Sequence, residues 1–203
     1  MQLLEDDIGS NSVIVMQPEL GPLTDEQFLA LCEKYPDRRI ESTAEGDLIL
    51  MPPAHPRTGH RNAILTHQLV EWAKNDDRGV PFDSSCGFFL ANGARRSADA
   101  AWVSRDRLSG LQDDAALWHV TPEFVIELKS SSDRLRVLRE KMKEWIANGV
   151  SLGWLLNPED RSVEVYRADG SVERFESPGE IRGEGAVAGF VLVLDRIWSG
   201  WSR

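Results

Sequence analysis

Apolar positions Phe28, Leu31, Cys32 and Tyr35 recur at the spacing of one helical face. Thr24 with Gln27 three residues on forms a capping box that opens this helix, and Pro36 ends it. Short strands follow at about 39–43 and 47–51, joined by a Glu45-Gly46 turn. Leu65, Leu69 and Trp72 then stripe a long helix over about 59–74. Beyond it the period shortens to two. Residues 80–84 and 87–90 read as a hairpin, and 97–103 as a further strand after the Asn92-Gly93 turn. Residues 104–121 are polar and mixed, a loop with a short helix. From 123 to 129, Phe124, Ile126 and Leu128 alternate with Val125, Glu127 and Lys129. A helix over 133–148 comes next, with Asp133 as N-cap, Gly149 as stop, and Leu135, Leu138, Met142 and Trp145 as buried stripe. Strands at 152–156, 163–166, 172–175 and 190–194 complete the pattern, the middle two forming a hairpin around Asp169-Gly170.

This order predicts an α/β (α+β) domain with a mixed central β-sheet flanked by helices and an additional C-terminal β-hairpin. Residues 1–22, punctuated by Pro18, Gly21 and Pro22, read as an N-terminal arm, and 23–203 as a single domain. The apolar fraction of 41% with seven Trp and seven Phe excludes wholesale disorder. The net charge of −10, from 23 basic and 33 acidic residues, argues against a whole-surface grip on nucleic acid and leaves room for a local basic groove. Two cysteines build no disulfide framework, so reduced thiols and a cytoplasmic setting are expected. The first residues lack the basic and apolar regions of a signal peptide, and no apolar run is long enough to make a membrane a partner. Phosphate-loop, dinucleotide-binding, nucleophile-elbow and paired C-x-x-C motifs are all lacking.

Candidate chemistry gathers on three residues. Asp99 lies within SADAAWV, and Glu127 and Lys129 lie within FVIELKS. Charges at the end of an apolar strand each cost several kcal/mol unless partnered. Two carboxylates suit a hard divalent cation such as Mg²⁺, which would polarise a phosphodiester and acidify a bound water. A lysine beside them would orient or deprotonate that water, or stabilise the charge on phosphate. E-x-K by itself is commonly a solvent-facing ion pair. Asp99 on the preceding strand is what adds chemistry to it. Lys141 flanks the stripe of the next helix, either reaching over the sheet toward Glu127 or snorkelling at its edge. His60 and His67 are too far apart to share a metal, but His60 near a helix start suits a phosphate contact. Arg95 and Arg96 precede the Asp99 strand and could steer a phosphate backbone, Arg96 in contact with substrate. Trp102 and Trp118 carry rings able to stack on bases, although alternation sends Trp102 to the core.

The segments RIESTAEGDLILMPP, GHRNAIL, RRSADAAWVSR, PEFVIELKSSSD and KMKEWIANGVSLGWLLNP, in this order, resemble the Uma-two family of restriction endonucleases within the PD-(D/E)XK nuclease superfamily. The resemblance spans about Thr24 to Trp198. It implies a restriction-endonuclease-like fold and a Mg²⁺ site, with Mn²⁺ as a substitute, acting on DNA. Asp99 and Glu127 match the motif acids and metal ligands. Lys129 occupies the superfamily's lysine position, and Lys141 matches the helical lysine that many members of this family use instead. Both are present, so the choice stays open. Glu41 matches an acidic residue of the first strand that completes the site. Ala98 stands where the superfamily often has proline. Cutting both strands with one site per chain points to a homodimer. Two other readings stand beside this one: a catalytically silent interaction module on the same fold, and a phosphodiesterase acting on another nucleic acid.

Overall fold

The computed structural model describes residues 2–3, 14–18, 21–111 and 118–201. Part of the expected arm, and part of the loop expected over 104–121, lie outside the described residues. Along the chain run β1 (Gln2–Leu3), β2 (Ile14–Gln17), α1 (Asp25–Lys34), β3 (Arg39–Ser42), β4 (Leu48–Met51) and α2 (Pro56–Asp76). Then come β5 (Gly79–Asp83), β6 (Phe88–Phe89), β7 (Arg95–Arg96), β8 (Ala100–Ser104), α3 (Arg105–Leu108) and β9 (Phe124–Leu128). The remainder is α4 (Leu135–Ala147), β10 (Leu152–Asn157), β11 (Ser162–Arg167), β12 (Val172–Glu176), β13 (Glu180–Arg182), β14 (Val191–Val193) and α5 (Asp195–Ser199).

The chain divides into two compact units, one made of residues 1–54, 87–97 and 111–120, the other of 55–86, 98–110 and 121–203. The first holds an antiparallel sheet in the order β1-β2-β4-β3-β7-β6. Thr24 caps α1 through the expected capping box, and Phe28 on its buried face packs with Ile40, Leu48 and Phe89. Residues 14–17, inside the stretch read as an arm, contribute β2 to this sheet.

The second unit holds the mixed sheet, ordered β12-β11-β10-β9-β8-β5. Only β9 and β10 run parallel, and α4 is the crossover that such a pair needs. Central β9 is buried at every position. Phe124, Ile126 and Leu128 join Leu65, Leu69 and Trp154 in the main core, while Glu127 takes its partners from α4. The fold class read from the sequence therefore holds: mixed α/β, several sheets and flanking helices.

Three local expectations change. The hairpin predicted over 80–90 does not form. β5 pairs with β8 and β6 with β7, in different sheets, because two adjacent apolar runs carry no signal of which edge each will join. The long helix starts at Pro56, not near Gly59, since proline fits a first helical position whose N–H needs no partner. Asp133 does not cap α4. Its carboxylate accepts from Ser130 N–H at 2.8 Å and closes the preceding turn instead. No helix among the described residues is long and apolar enough to cross a membrane.

Candidate active site

Asp99 sits at the entry to β8, its N–H still bonded to Ile126 carbonyl oxygen. Its carboxylate is buried and accepts hydrogen bonds from Leu128 and Asn62. Leu128 N–H reaches Oδ2 at 2.8 Å, and Asn62 Nδ2 on α2 reaches Oδ1 at 3.0 Å. The carboxylate thus stands in for a missing ladder carbonyl where β8 begins, one peptide along from Glu127. A carboxylate only accepts, so Asn62 must present its amide nitrogen to it. That leaves Asn62 Oδ1 buried with no hydrogen-bond partner among the described residues.

Glu127 is 2% exposed, in the middle of the sheet. Trp145 Nε1 donates to its Oε1 at 3.0 Å, and Lys141 Nζ lies 2.9 Å from the same oxygen. Both partners come from α4, four residues apart, which places them on one helical face. The indole bond is selective. Trp102 and Trp154 are also buried, and among the described residues their Nε1 atoms have no partner.

Lys129 lies just past the end of β9, where strand alternation no longer fixes side-chain direction. Its Nζ pairs with Glu159 at 2.8 Å and touches Ser130 carbonyl oxygen at 3.1 Å. It lines a cleft of about 310 Å³ with His55, Arg57, Arg61, Glu159 and Trp201 among its walls. Arg61 Nε and Nη2 donate to the carbonyls of Ile197 and Trp198, at 2.7 and 3.2 Å, and so tie α2 to α5. Burial, together with the facing Arg57 charge, holds the Arg61 guanidinium below its ordinary value. One helix therefore serves two places: its first turns give the cleft Arg57 and Arg61, and Asn62, the next residue, reaches Asp99.

Two other expected site residues lie in the first unit. Glu41 is buried, accepting from Arg39 Nη2 at 3.2 Å, Arg96 Nη1 at 3.4 Å and Ser97 N–H at 3.3 Å. Arg96, expected on substrate, is itself buried and spends its charge on Glu41. His60 is one turn into α2, not at its first residue, and its ring lies 5.9 Å from that of Trp201. Trp102 packs in the core as alternation predicted.

Asn62, Trp145, Arg57 and Arg61 went unread as site residues. Asn62 carried a faint signal, because asparagine inside a helix competes with the helical backbone and is usually there for its side chain. Trp145 belongs to the buried stripe expected of α4, and its N–H leaves no pattern in the sequence. Neither cysteine is in a disulfide. Burial, with the Asp83 charge, pushes the Cys86 thiol up to about 11, and burial also raises Cys32, which disfavours the thiolate form at both.

The donor chemistry suits a hard cation. Among the described residues no group of three or more His, Cys, Asp or Glu side chains is arranged as a complete metal cage. Mg²⁺ does not require one, since it is commonly held by one or two carboxylates and completed by water and phosphate oxygens. Two carboxylates and the orphaned Asn62 Oδ1 fit that pattern.

The sequence model of the Uma2 family, described as "Putative restriction endonuclease", matches residues 25–195. Among solved structures, a "putative nuclease belonging to DUF820" from Anabaena variabilis is similar at a TM-score of 0.74 and 20% identity. The match covers 88% of this chain and 98% of that one. Likeness at that identity carries the fold. No curated protein matches.

Proposed function

Because the chain belongs to the Uma2 family of restriction-endonuclease-like proteins, we propose that it is a Mg²⁺-dependent DNA endonuclease of the PD-(D/E)XK type. Nuclease function is supported by the family and by the fold it shares with the Anabaena protein. Asp99 and Glu127 are the residues that would hold the cation, with Asn62 Oδ1 accepting from a water of its shell. When bound, Mg²⁺ (or Mn²⁺ in its place) polarises the phosphoryl oxygens and acidifies a coordinated water. Asn62 Nδ2 and Leu128 N–H orient the Asp99 carboxylate. Trp145 Nε1 does the same for Glu127. Lys141 Nζ, held on Glu127, offsets charge developing on the phosphate and exchanges a proton with the attacking water. Lys129, paired with Glu159, works with Arg57 and Arg61 to seat the phosphate backbone. This divides the two lysines: Lys141 for chemistry, Lys129 for binding.

Glu41 and Arg96 hold each other as a buried pair, and their part in the reaction is to shape the strand before Asp99. His60 supports the cleft through Trp201. Cutting both strands of a duplex would bring two copies together about a two-fold axis.

The observation that carries this reading is Glu127: a carboxylate 2% exposed on a central strand, with an ammonium 2.9 Å from it. Incubation of plasmid DNA with the protein and Mg²⁺ tests it, alongside Asp99→Ala and Glu127→Ala. Nicking by the unaltered protein that both substitutions abolish is the expected result. Equal cutting by all three sinks the reading. The same contact also supports the silent-module alternative, since a carboxylate already paired with lysine has less need of a cation. Calorimetric titration with Mg²⁺ separates the two: binding lost in Asp99→Ala favours the enzyme, and no heat with phosphate present favours the module.

A further inference from the structure

Large aromatic side chains are usually buried, yet Trp201 is 56% exposed. Gly200, with a φ of 63°, turns the chain sharply after α5 and sets the Trp201 ring against α2. There the Arg57 guanidinium lies 5.5 Å from the ring centroid, and the His60 ring lies on it at 5.9 Å. Arg61 locks this arrangement from beneath through its bonds to α5. The exposed ring is therefore held in place, at the wall of the 310 Å³ cleft.

The charges of the cleft are unusual for so acidic a chain. Among the described residues, neither Arg57 nor Arg61 is ion-paired with a carboxylate, whereas arginines elsewhere on the chain, such as Arg139, Arg167 and Arg174, have carboxylate partners. Among the described residues, Glu159 is the one acid of the cleft walls and is matched by Lys129. Two positive charges remain in excess beside an open aromatic face. Burial first, and then the Arg57 charge, hold Arg61 below its ordinary value, and an anion relieves the repulsion between the two. A phosphate next to a flat π-system is the chemistry of a nucleotide. The volume is at the small end of organic ligand sites, room for one nucleotide and not for a base pair.

We propose that this cleft takes a single unstacked nucleotide of the substrate strand, its phosphate on Arg57 and Arg61 and its base stacked on Trp201. The inference rests on the nuclease reading above and adds to it a preference for DNA with an unpaired or frayed base beside the cutting site. A base inside an intact duplex has both faces covered by its neighbours and cannot reach an aromatic ring. The stack reads no particular base, because every base offers a π-face.

The test is binding of the full chain to fluorescent DNA in EDTA, where nothing is cut. Three duplexes are compared: blunt, with a short single-stranded overhang, and with the same overhang made abasic. The overhang is expected to improve affinity by about 5- to 150-fold over the abasic version, the range one base–aromatic stack provides. Trp201→Ala abolishes that difference and Trp201→Phe keeps most of it. Arg57→Ala weakens binding to all three and lowers its salt dependence. Equal affinity for the three duplexes, or an unchanged preference in Trp201→Ala, overturns the inference. Cutting assays on the same DNA with Mg²⁺ keep the two readings apart. Cleavage without any base-dependent binding removes this inference alone, and base-dependent binding without cleavage of any duplex removes the nuclease reading alone.

Discussion

Two glutamates lie in one row of the mixed sheet. Glu127 on β9 and Glu164 on β11 both face Leu155 on β10 between them, so they project toward the same helix, α4. Both are at least 95% buried. They differ in what meets them. Glu164 receives Arg139 Nε at 3.1 and 3.0 Å on its two oxygens, with a further short contact from Arg139 Nη2. Tyr166 hydroxyl adds a bond at 2.8 Å and Arg174 another at 3.3 Å. Glu127 receives the Lys141 ammonium and the Trp145 indole N–H, both at Oε1. Guanidinium groups stay charged and grip by two points, which suits a fixed strut. An ammonium is a point charge on a flexible stem and can give up a proton. The same sheet, row and helix thus hold a structural carboxylate and one equipped for chemistry, and the cation's identity separates them better than burial does.

The sharpest way to break that comparison is to neutralise each glutamate in turn. Glu127→Gln keeps an acceptor for Trp145 Nε1 and nearly the same volume but leaves the Lys141 ammonium without its counter-charge, so activity is compared per folded molecule. DNA cleavage with Mg²⁺ should fall on the order of 10³-fold, as expected for removing a principal electrostatic group from a site. Wild-type rates would make Glu127 a second strut. Lys141→Met should come next, with a loss of about 10²-fold in turnover at saturating DNA, the lower end for a general acid or base. Lys129→Met should act mainly on KM. If the two lysine variants exchange these signatures, the roles proposed for them are reversed.

Glu164→Gln should have the smaller and opposite kind of effect. Arg139 and Arg174 are 41% and 36% exposed at their side chains and can turn to water once the carboxylate is gone. The loss is therefore below that of an isolated buried pair, about 1–3 kcal/mol, including the weaker, uncharged acceptor left to the Tyr166 hydroxyl. Urea unfolding midpoints measure it. Cleavage per folded molecule should stay at the wild-type rate.

The comparison also shows where sequence reading reaches its limit. Alternation along 123–129 placed Glu127 on the face opposite Phe124, Ile126 and Leu128, and the structure keeps it there. Periodicity of α4 put Lys141 beside the buried stripe but left two destinations for its ammonium. The choice of Glu127 depends on how β9 and α4 are placed across the crossover, which no local pattern encodes. Glu164 carries no local signal of its role, since its partners arrive from 25 residues before and 10 after. The cleft was the least legible. Arg57 and Arg61 come from the first turns of α2, Lys129 from the end of β9 and Trp201 from beyond α5, and nothing in the spacing of these residues brings them together.

The finest test compares the two glutamates through acid. Burial by itself raises the pKa of Glu164, but hydrogen bonds from Arg139 and Tyr166, with the charges of Arg139 and Arg174, outweigh it and hold the carboxyl below its usual range. In the unfolded chain the same carboxyl titrates near 4.3. A group whose pKa is lower when folded binds protons more readily when unfolded, so its contribution is complete above about pH 4.3 and fades as pH falls through the depressed folded value. Glu164→Gln has no such group. The gap in thermal midpoint between wild type and Glu164→Gln should therefore be constant from pH 7 down to about pH 5 and close progressively below pH 4. A gap that stays constant to the lowest pH would mean that the Glu164 cluster stabilises by shape and hydrogen bonding alone, and that its ionisation is not what distinguishes it from Glu127.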